Sequence, residues 1–450
     1  MSLRSTRRGR FGRLLLLLTA AAALAVLLVN LSWFDEPLSP QIEALRQSRQ
    51  ESVEGNGYPL ALGFLASDSR DPRAAGVEII ARLRELRARG EPLSLSREQM
   101  RVILGTAPQD DGLKRTLGFH CQARHRVDCA ERLANWIASV DLSSPRLALL
   151  FNRYELLLQQ PHFVETPEPD LDTAWPPLGA IVALGRLRLA MSLRADTTPV
   201  FLEKSAQELA FWRMALREGD RLGMKMVALA AIRNTHDLVA AAVREREFDS
   251  HELEVFRQVI RPLTREERDI GAGFVSEARA PLLSGVTPTV QDASRLTRLV
   301  LQKNATFNQF FRDTIEPMRV RSSLPAREYF EEGAYEPLRH ELHWTPVAFY
   351  NLGGKLALSG SPWDPHQFPS RVHDEDGRIG LLLLQAQIEA HPESDVGTLV
   401  RNSEYRNPYT GGAMEYDEQS GTIGFACLHT AFHPPELADH CAVALRRNTP

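Results

Sequence analysis

The sequence is poor in lysine, poor in cysteine and free of the short motifs that mark the common catalytic sites. Its 450 residues contain only 4 cysteines. It contains no G-x-S-x-G nucleophile elbow, no phosphate-binding G-x-x-x-x-G-K-[ST] loop and no dinucleotide-binding G-x-G-x-x-G. The formal net charge is −4, so the chain has no basic surplus for binding nucleic acid. We therefore predict neither a cofactor nor a nucleic-acid partner.

One long hydrophobic run begins at Leu14 and ends at Leu31, and its two polar interruptions are uncharged. Because a helix rises about 1.5 Å per residue, roughly 20 residues cross the hydrocarbon core of a membrane. The run reaches that length together with Trp33 and Phe34, which would lie in the interfacial aromatic belt. We therefore predict a transmembrane anchor over residues 14–34.

The charges on either side of this anchor set its predicted orientation. Residues 1–13 carry five arginines and no acidic residue, whereas Asp35 and Glu36 follow the anchor. Basic residues favour the cytoplasmic side. We therefore expect a cytoplasmic N-terminus, a single pass through a bacterial inner membrane and a body in the periplasm. A cleaved signal peptide is the alternative, but it needs small residues before the cut, and the stretch VNLSWFDEP contains no A-x-A site.

The chain after the anchor has the spacing of helices. Ser144 and Thr198 each place a capping residue before a proline at the first helical position, and apolar residues then recur at helical intervals. The predicted helices span residues 178–195, 199–218, 220–246, 264–280 and 292–320. Short connections between consecutive helices favour antiparallel packing. We therefore predict a mainly α body over residues 35–336, built as an irregular helical bundle or a degenerate α-hairpin array.

The composition changes near residue 337. Residues 337–377 are rich in turn-forming combinations of Pro, Gly and Trp, and an apolar helix is predicted over 378–390. Two short β-prone runs at 414–416 and 422–425 flank a turn, which indicates a small β-hairpin. The sequence therefore predicts a mixed C-terminal region with a turn-rich segment, a helix and a hairpin up to residue 450.

Three segments give the chain a resemblance to known proteins. They are NGYPLALG at residues 56–63, NLGGK at residues 351–355, and the run containing Asn407, Pro408, Tyr409 and Gly411 before the predicted hairpin. These segments resemble parts of uncharacterised, membrane-anchored helical proteins that face the periplasm of Gram-negative bacteria. That family has no assigned activity, so the resemblance implies an envelope location and a helical fold only.

The four cysteines form two local pairs, Cys121 with Cys129 and Cys427 with Cys441. In an oxidising compartment such pairs indicate disulfides, and proximity favours the local pairing over the other two connectivities. One alternative concerns Cys129, which stands at a predicted helix start where the pKa of a thiol is lowered. No C-x-x-C redox motif accompanies it, so we predict two local disulfides.

The second pair lies within a cluster of histidines, His429, His433 and His440, in the pattern C-x-H-x3-H-x6-H-C. Cysteine and histidine at close spacing can bind zinc in a tetrahedral site. This spacing differs from that of a standard zinc finger, and a disulfide between Cys427 and Cys441 would remove the thiolate ligands. We therefore predict no metal, and metal storage or delivery by these residues stays the alternative.

Two further segments hold chemically active side chains. His340-Glu-Leu-His343 differs from the zinc-protease motif H-E-x-x-H, because its second histidine comes one residue too early. Asp374-Glu-Asp-Gly lacks the further oxygen ligands of a calcium loop, and we predict a solvated turn there. His340, His343 and Asp374 are nevertheless the catalytic candidates if the body is an enzyme.

Two functional hypotheses follow from these patterns. The first is a non-enzymatic envelope protein, a scaffold, assembly factor or docking surface with a protein partner in the periplasm. It rests on packed helices without a catalytic motif. The second is an enzyme that acts on peptidoglycan or lipid through the histidines and carboxylates of the C-terminal region. Convergence of those groups in one concave pocket would favour the enzyme.

Overall fold

The computed structural model describes residues 4–45, 54–89, 91, 94–105, 135–166, 175–284, 301–334, 350–359, 365–428 and 441–446. These residues are mainly helical, with a small antiparallel sheet near the C-terminus. The first helices are α1 (Arg4–Val29), α2 (Pro40–Ala44), α3 (Tyr58–Leu62), α4 (Pro72–Ala88), α5 (Arg97–Leu104), α6 (Pro145–Leu158), α7 (Leu178–Ala195), α8 (Thr198–Glu218) and α9 (Leu222–Glu245).

The later helices are α10 (Ser250–Val259), α11 (Arg265–Arg268), α12 (Gly271–Ser284), α13 (Lys303–Phe310), α14 (Glu316–Arg321), α15 (Ala326–Glu331), α16 (Leu352–Ser359), α17 (Gln367–Glu389) and α18 (Val396–Asn402). A π-helical segment, Phe311–Ile315, joins α13 to α14. The strands are β1 (Glu415–Asp417), β2 (Thr422–Gly424) and β3 (Ala442–Ala444). The prediction of a mainly α fold with a little β-structure near the C-terminus is confirmed.

Capping side chains explain where several helices begin. Ser96 and Gln99 form a reciprocal capping box at the start of α5, and Asp249 with Glu252 forms another at the start of α10. Helix α7 has the predicted bounds, and α8 and α9 begin and end within two residues of theirs. The local signals in the sequence therefore locate the long helices of the body well.

The predicted helix over 264–280 is wrong in one respect, because the structure divides it in two. Thr264 caps α11 as expected, but α11 ends after one turn where Asp269 adopts an extended conformation. The Asp269 carboxylate then accepts a hydrogen bond from the Gly271 amide at 2.8 Å, where α12 begins. Of the predicted helix over 292–320, residues 292–300 lie outside the described residues, and the remainder is α13, the π segment and α14.

The chain divides into two compact units, each assembled from segments that are distant in sequence. The first unit comprises residues 1–48, 278–317 and 338–364, and the second comprises residues 49–277, 318–337 and 365–450. The boundaries at residues 34 and 336 that the sequence suggests stay a prediction.

The core of the second unit is built from long helices and aromatic rings. Helix α9 packs against α7, α8 and α17. Tyr58, Phe163, Phe211 and Trp212 form a chain of edge-to-face contacts, with successive ring centroids 5.8, 5.7 and 5.1 Å apart. Such pairs stabilise a core by about 0.5–1.5 kcal/mol each beyond the burial of their area. These rings bring α3, the segment after α6 and α8 together.

The sheet has three strands rather than the two of the predicted hairpin. Strands β1 and β2 pair antiparallel, with Tyr416 opposite Ile423, and β3 pairs with β2, with Val443 opposite Ile423. The third strand was not predicted, because a three-residue segment with two alanines has little strand propensity. Gln385 of α17 donates a hydrogen bond to the Ala444 carbonyl at 2.9 Å, which joins the sheet to α17.

In the first unit, polar side chains surround the end of α1. The side-chain amide of Gln302 donates to the Val29 backbone carbonyl at 2.6 Å, and the side-chain oxygen Oδ1 of Asn30 accepts from the Leu352 backbone amide at 2.8 Å. Asp35 caps α13 by accepting from the Asn304 amide at 2.8 Å. The apolar part of α1 is therefore followed immediately by a densely hydrogen-bonded segment.

One described helix, α9, is long and apolar enough to cross a membrane, and 67% of its most apolar window is buried inside the protein. A core helix of a globular protein passes the same test, so α9 is weak evidence for membrane association. The shorter apolar segment Leu14–Val29 belongs to α1. The predicted topology and compartment stay predictions.

Candidate functional site

A dense cluster of buried polar side chains surrounds the N-terminal half of α17. This helix begins at Gln367, eleven residues before the predicted start at residue 378. Asp374 and Glu375 lie inside it and are 6% and 2% exposed, so the prediction of a solvated turn at this acidic stretch is wrong. Burial of carboxylates is tolerated only where partners compensate for the lost water. The partners come from α9 and from neighbouring segments.

Glu375 is the centre of a network between α17 and α9. Its Oε1 lies 2.6 Å from Nδ1 of His236, and its Oε2 lies 3.6 Å from Nε of Arg378. Arg378 also donates to the carboxylate of Asp237. Burial alone would raise the pKa of Glu375, but the His236 hydrogen bond and the Arg378 charge hold that pKa below its ordinary value. Glu375 is therefore ionised, and the network ties the two longest core helices together.

Asp376 joins α17 to the segment before α11. Its carboxylate accepts from the Leu263 amide at 2.8 Å and lies 3.1 Å from Nη1 of Arg268. Burial raises the pKa of Asp376, and the Leu263 amide and the Arg268 charge only partly offset that rise. The side chain thus acts as a structural acceptor at this helix contact.

His373 stands apart from this network because neither ring nitrogen has a hydrogen-bond partner among the described residues. Its side chain is fully buried and packs on Tyr329, with the ring centroids 4.8 Å apart. Burial, helped by the positive charge of Arg268, lowers the pKa of His373 to about 3. The imidazole is therefore neutral at physiological pH.

Because of His373, we expect the free energy of unfolding to fall in weak acid. The folded state holds its pKa near 3, whereas the unfolded chain has a pKa of about 6.5. The neutral ring therefore stabilises the fold above pH 6.5, and this contribution is lost as the pH falls below that value towards 3. We expect His373→Phe to abolish a loss of about 2 kcal/mol between pH 6.5 and 5, as measured by denaturant unfolding of the full-length protein in detergent.

A matched control uses His391, which is not buried. His391→Gln should leave the dependence of the unfolding free energy on pH unchanged. If the unfolding free energy depended on pH equally in His373→Phe and in the wild type, the prediction that His373 causes this dependence would be wrong.

Asp374 faces a different group of residues, on the side of α17 that meets the sheet. Asn407 forms a turn by accepting from the Tyr409 amide at 2.9 Å, and Gly411 with φ of +68° completes it. This turn directs the Tyr409 hydroxyl to the Asp374 carboxylate, at 2.5 Å. The Leu428 amide donates to the same oxygen at 2.9 Å. The turn at residues 407–411 therefore positions the Tyr409 hydroxyl on Asp374.

Cys427 and Cys441 form a disulfide beside Asp374, with their Cα atoms 5.6 Å apart. The two cysteines are 6% and 1% exposed. Thiol–disulfide exchange needs access of an attacking thiolate to one sulfur, so this burial is typical of a structural disulfide. The geometry agrees with the predicted pairing of these two residues.

The remaining predicted site residues lie outside the described residues. They are Cys121, Cys129, His340, His343, His429, His433 and His440. Their convergence into a pocket therefore stays a prediction. Asp374 is the catalytic candidate that the structure describes, and its carboxylate is engaged by Tyr409 and Leu428 inside the protein. This arrangement is typical of a structural carboxylate.

A separate surface feature is a groove of about 350 Å³ between α4 and α5. Leu86, Leu95, Val102 and Ile103 supply its apolar lining. Its other lining residues are Glu78, Arg82, Glu85, Arg89, Glu98 and Gln99. None of these belongs to the cluster around α17. An apolar groove with a charged rim is the composition of a docking site for a protein segment.

Sequence reasoning missed the partners of the acidic stretch on α17. Arg233, His236 and Asp237 lie three and four residues apart on α9, so they share one face of that helix. Asp374 and Arg378 are likewise four apart on α17. Matching polar stripes on two predicted helices were therefore the available signal for a buried helix–helix contact.

No family model matches the chain, and neither a curated protein nor a solved structure matches it.

Proposed function

We propose that this chain is a membrane-anchored protein of the Gram-negative envelope, whose periplasmic body serves as a scaffold, an assembly factor or a docking surface for a protein partner. The exposure of α1 carries the proposal. Eight leucines between residues 14 and 28 are 44–71% exposed, although burial of apolar surface is worth about 25 cal/mol per Å². Such a helix is stable in hydrocarbon, where its backbone groups bond to one another.

The residues on either side of the apolar stretch of α1 support a single membrane pass with the body outside the cytoplasm. Five arginines precede the apolar stretch, and Asp35 and Glu36 follow it. Trp33 is 86% exposed and Phe34 is 58% exposed at the end of the stretch, as aromatic side chains at a membrane interface are. The side-chain oxygen of Asn30, which follows the end of α1, accepts from the Leu352 backbone amide and so joins the end of this helix to the start of α16.

The groove between α4 and α5 is the proposed docking surface. Val102 exposes 59% of its surface, whereas Ile103 and Leu104 on the same helix are buried. Helix α5 thus keeps one apolar face packed and presents a second apolar position to the groove. The buried core of a protein interface is apolar and is surrounded by a polar rim, and the charged residues of the groove provide such a rim.

Photo-crosslinking in intact Gram-negative cells tests this function. A photoreactive residue at Val102 of the full-length protein should give a discrete adduct that stays in alkaline-washed membranes. The same residue at Leu156, which is 51% exposed on α6, should give none.

Leu24→Arg places a charge near the middle of the apolar stretch and weakens insertion by about 3 kcal/mol. We expect this variant to leave the washed membranes and to lose the Val102 adduct.

Leu156→Arg is the matched control, since it adds the same charge on the body and should leave membrane retention unchanged. Release of the wild-type protein by the alkaline wash would contradict the anchor. The docking surface would be contradicted if Val102 and Leu156 gave identical adducts. It would also be contradicted if Val102 gave no adduct under any growth condition.

A further inference from the structure

Three potential metal ligands meet where α17 contacts the sheet. The Sγ atoms of Cys427 and Cys441 and a carboxylate oxygen of Asp374 lie within 4.8 Å of one another, and all three residues are buried. They come from the segment after β2, from the residue before β3 and from α17, respectively. Three chain segments therefore bring two sulfurs and one oxygen to one point inside the protein.

The fold holds these groups in place independently of the disulfide. The Phe425 amide donates to the Cys441 carbonyl at 3.0 Å, which extends the pairing of β2 with β3 up to the cysteines. The Leu428 amide donates to Asp374 at 2.9 Å, so the residue next to Cys427 is tied to α17. These backbone contacts remain available when the sulfur–sulfur bond is broken. Reduction should therefore leave the two thiols beside the carboxylate.

We propose that the reduced form of this cluster binds a thiophilic divalent cation of the Zn²⁺ class through Sγ of Cys427, Sγ of Cys441 and the carboxylate of Asp374. Thiolate and carboxylate are both ligands of zinc, at about 2.3 Å and about 2.0–2.2 Å. Ligand atoms around a tetrahedral zinc ion then lie roughly 3.3 to 3.8 Å apart. The two sulfurs, which are bonded to each other in the disulfide, then move apart to about 3.8 Å. The carboxylate oxygen approaches them by up to about 1 Å, and water fills the fourth position.

The charge balance of the site explains why the cation would be held. Two thiolates and one carboxylate amount to three negative charges, which are strongly disfavoured in a buried environment. A divalent cation cancels two of them. Without the cation, three uncompensated negative charges would be buried together. The site therefore has two stable forms, a disulfide without metal and a bis-thiolate with metal.

Reduction converts the disulfide into two thiols. A phosphine reductant breaks the sulfur–sulfur bond. The phosphorus takes the oxygen atom of one water molecule, and the two sulfurs take the two hydrogens of that water to become thiols. The divalent cation then displaces both thiol protons, so each bound ion releases two protons to solvent.

Titration with Co²⁺, a spectroscopic substitute for Zn²⁺, tests the proposal on the full-length protein in detergent. A Cys121→Ser/Cys129→Ser background removes the other cysteine pair. After reduction by the phosphine under anaerobic conditions, we expect one Co²⁺ per chain, thiolate-to-cobalt charge-transfer absorption and the intense visible bands of a tetrahedral site. Addition of Zn²⁺ should displace the cobalt. The unreduced protein should give no such absorption.

Asp374→Asn distinguishes the proposed ligand set from a simple pair of thiols. The amide oxygen can still accept from Tyr409 and Leu428 but is a poor metal ligand, so Co²⁺ affinity should fall about tenfold or more. Glu415→Gln, an exposed carboxylate on β1, is the matched control and should bind as the parent does. The assignment would be overturned if Asp374→Asn bound Co²⁺ as tightly as the parent. It would also be overturned if His429→Ala or His440→Ala lost more Co²⁺ affinity than Asp374→Asn does. Absence of charge-transfer absorption in the reduced parent protein would also overturn it.

Discussion

Replacing Arg378 by alanine should lower the free energy of unfolding by about 3 to 5 kcal/mol, because it leaves buried carboxylates without their cation. Arg378 is 2% exposed and contacts Asp237 of α9 and Glu375 of α17. With the guanidinium removed, Glu375 retains the hydrogen bond from His236 and the attraction of the Arg233 charge. Denaturant unfolding of the full-length protein, followed by tryptophan fluorescence, measures the loss.

The control for this prediction is an arginine with the same pairing chemistry at the surface. Arg327 contacts Glu331 at 2.7 Å, and its side chain is 63% exposed. Water screens exposed pairs of this kind, so that they contribute little to stability, and Arg327→Ala should change the unfolding free energy little. Adding Asp237→Asn to Arg378→Ala should recover part of the loss, since it removes a stranded charge. A loss below about 1 kcal/mol in Arg378→Ala would show that the network tolerates an uncompensated carboxylate, contrary to expectation.

The sequence predicted the helices of the body well, because their signals are local. A proline after a capping residue, or a capping box, fixes where a helix begins whatever packs against it later. Helix α7 has the predicted bounds for this reason. The helix break at Asp269 depends instead on one side chain accepting from Gly271, and the pattern of apolar residues does not reveal it.

The acidic stretch of α17 could not be placed from its composition. Three acidic residues before a glycine are typical of a solvated turn, and only the opposing charges of another helix make their burial possible. His236 is the partner of Glu375 and Asp237 is the partner of Arg378, and both lie on a helix more than 130 residues earlier in the chain. Pairing over such a separation is a property of the tertiary fold, which no local window of the sequence contains.

The segments behind the family resemblance have structural roles wherever the structure describes them. The Asn56 carboxamide accepts from the Tyr58 amide at 3.0 Å and donates to the Val164 carbonyl at 2.7 Å. Asn351 adopts a φ of 55°, and its side chain accepts from Thr306 at 3.1 Å. Turns and close contacts of this kind need particular residues for geometric reasons, so folding requirements account for the residues at these positions.

The crossing of α3 and α4 depends on two glycines. A Cβ atom at Gly63 would lie 1.9 Å from the Pro72 carbonyl oxygen, and one at Gly76 would lie 1.7 Å from the Pro59 carbonyl oxygen. Both obstacles are backbone atoms, which no change of rotamer can move aside. The glycines therefore allow the two helix backbones to touch, and α4 in turn forms one wall of the proposed docking groove.

Gly76→Ala should accordingly destabilise the full-length protein by about 3 to 4 kcal/mol, since α3 and α4 must separate to admit one methyl group into a well-packed core. The matched control is Gly179→Ala on α7, where an added Cβ meets nothing within 4 Å. Alanine is the better helix former, so this variant should keep its stability or gain up to about 1 kcal/mol. The two substitutions are chemically identical, so opposite signs in denaturant unfolding would isolate the backbone contact as the cause. If Gly76→Ala were as stable as Gly179→Ala, α3 and α4 would not cross at this distance. The position of α4 beside the proposed docking groove would then be wrong as well.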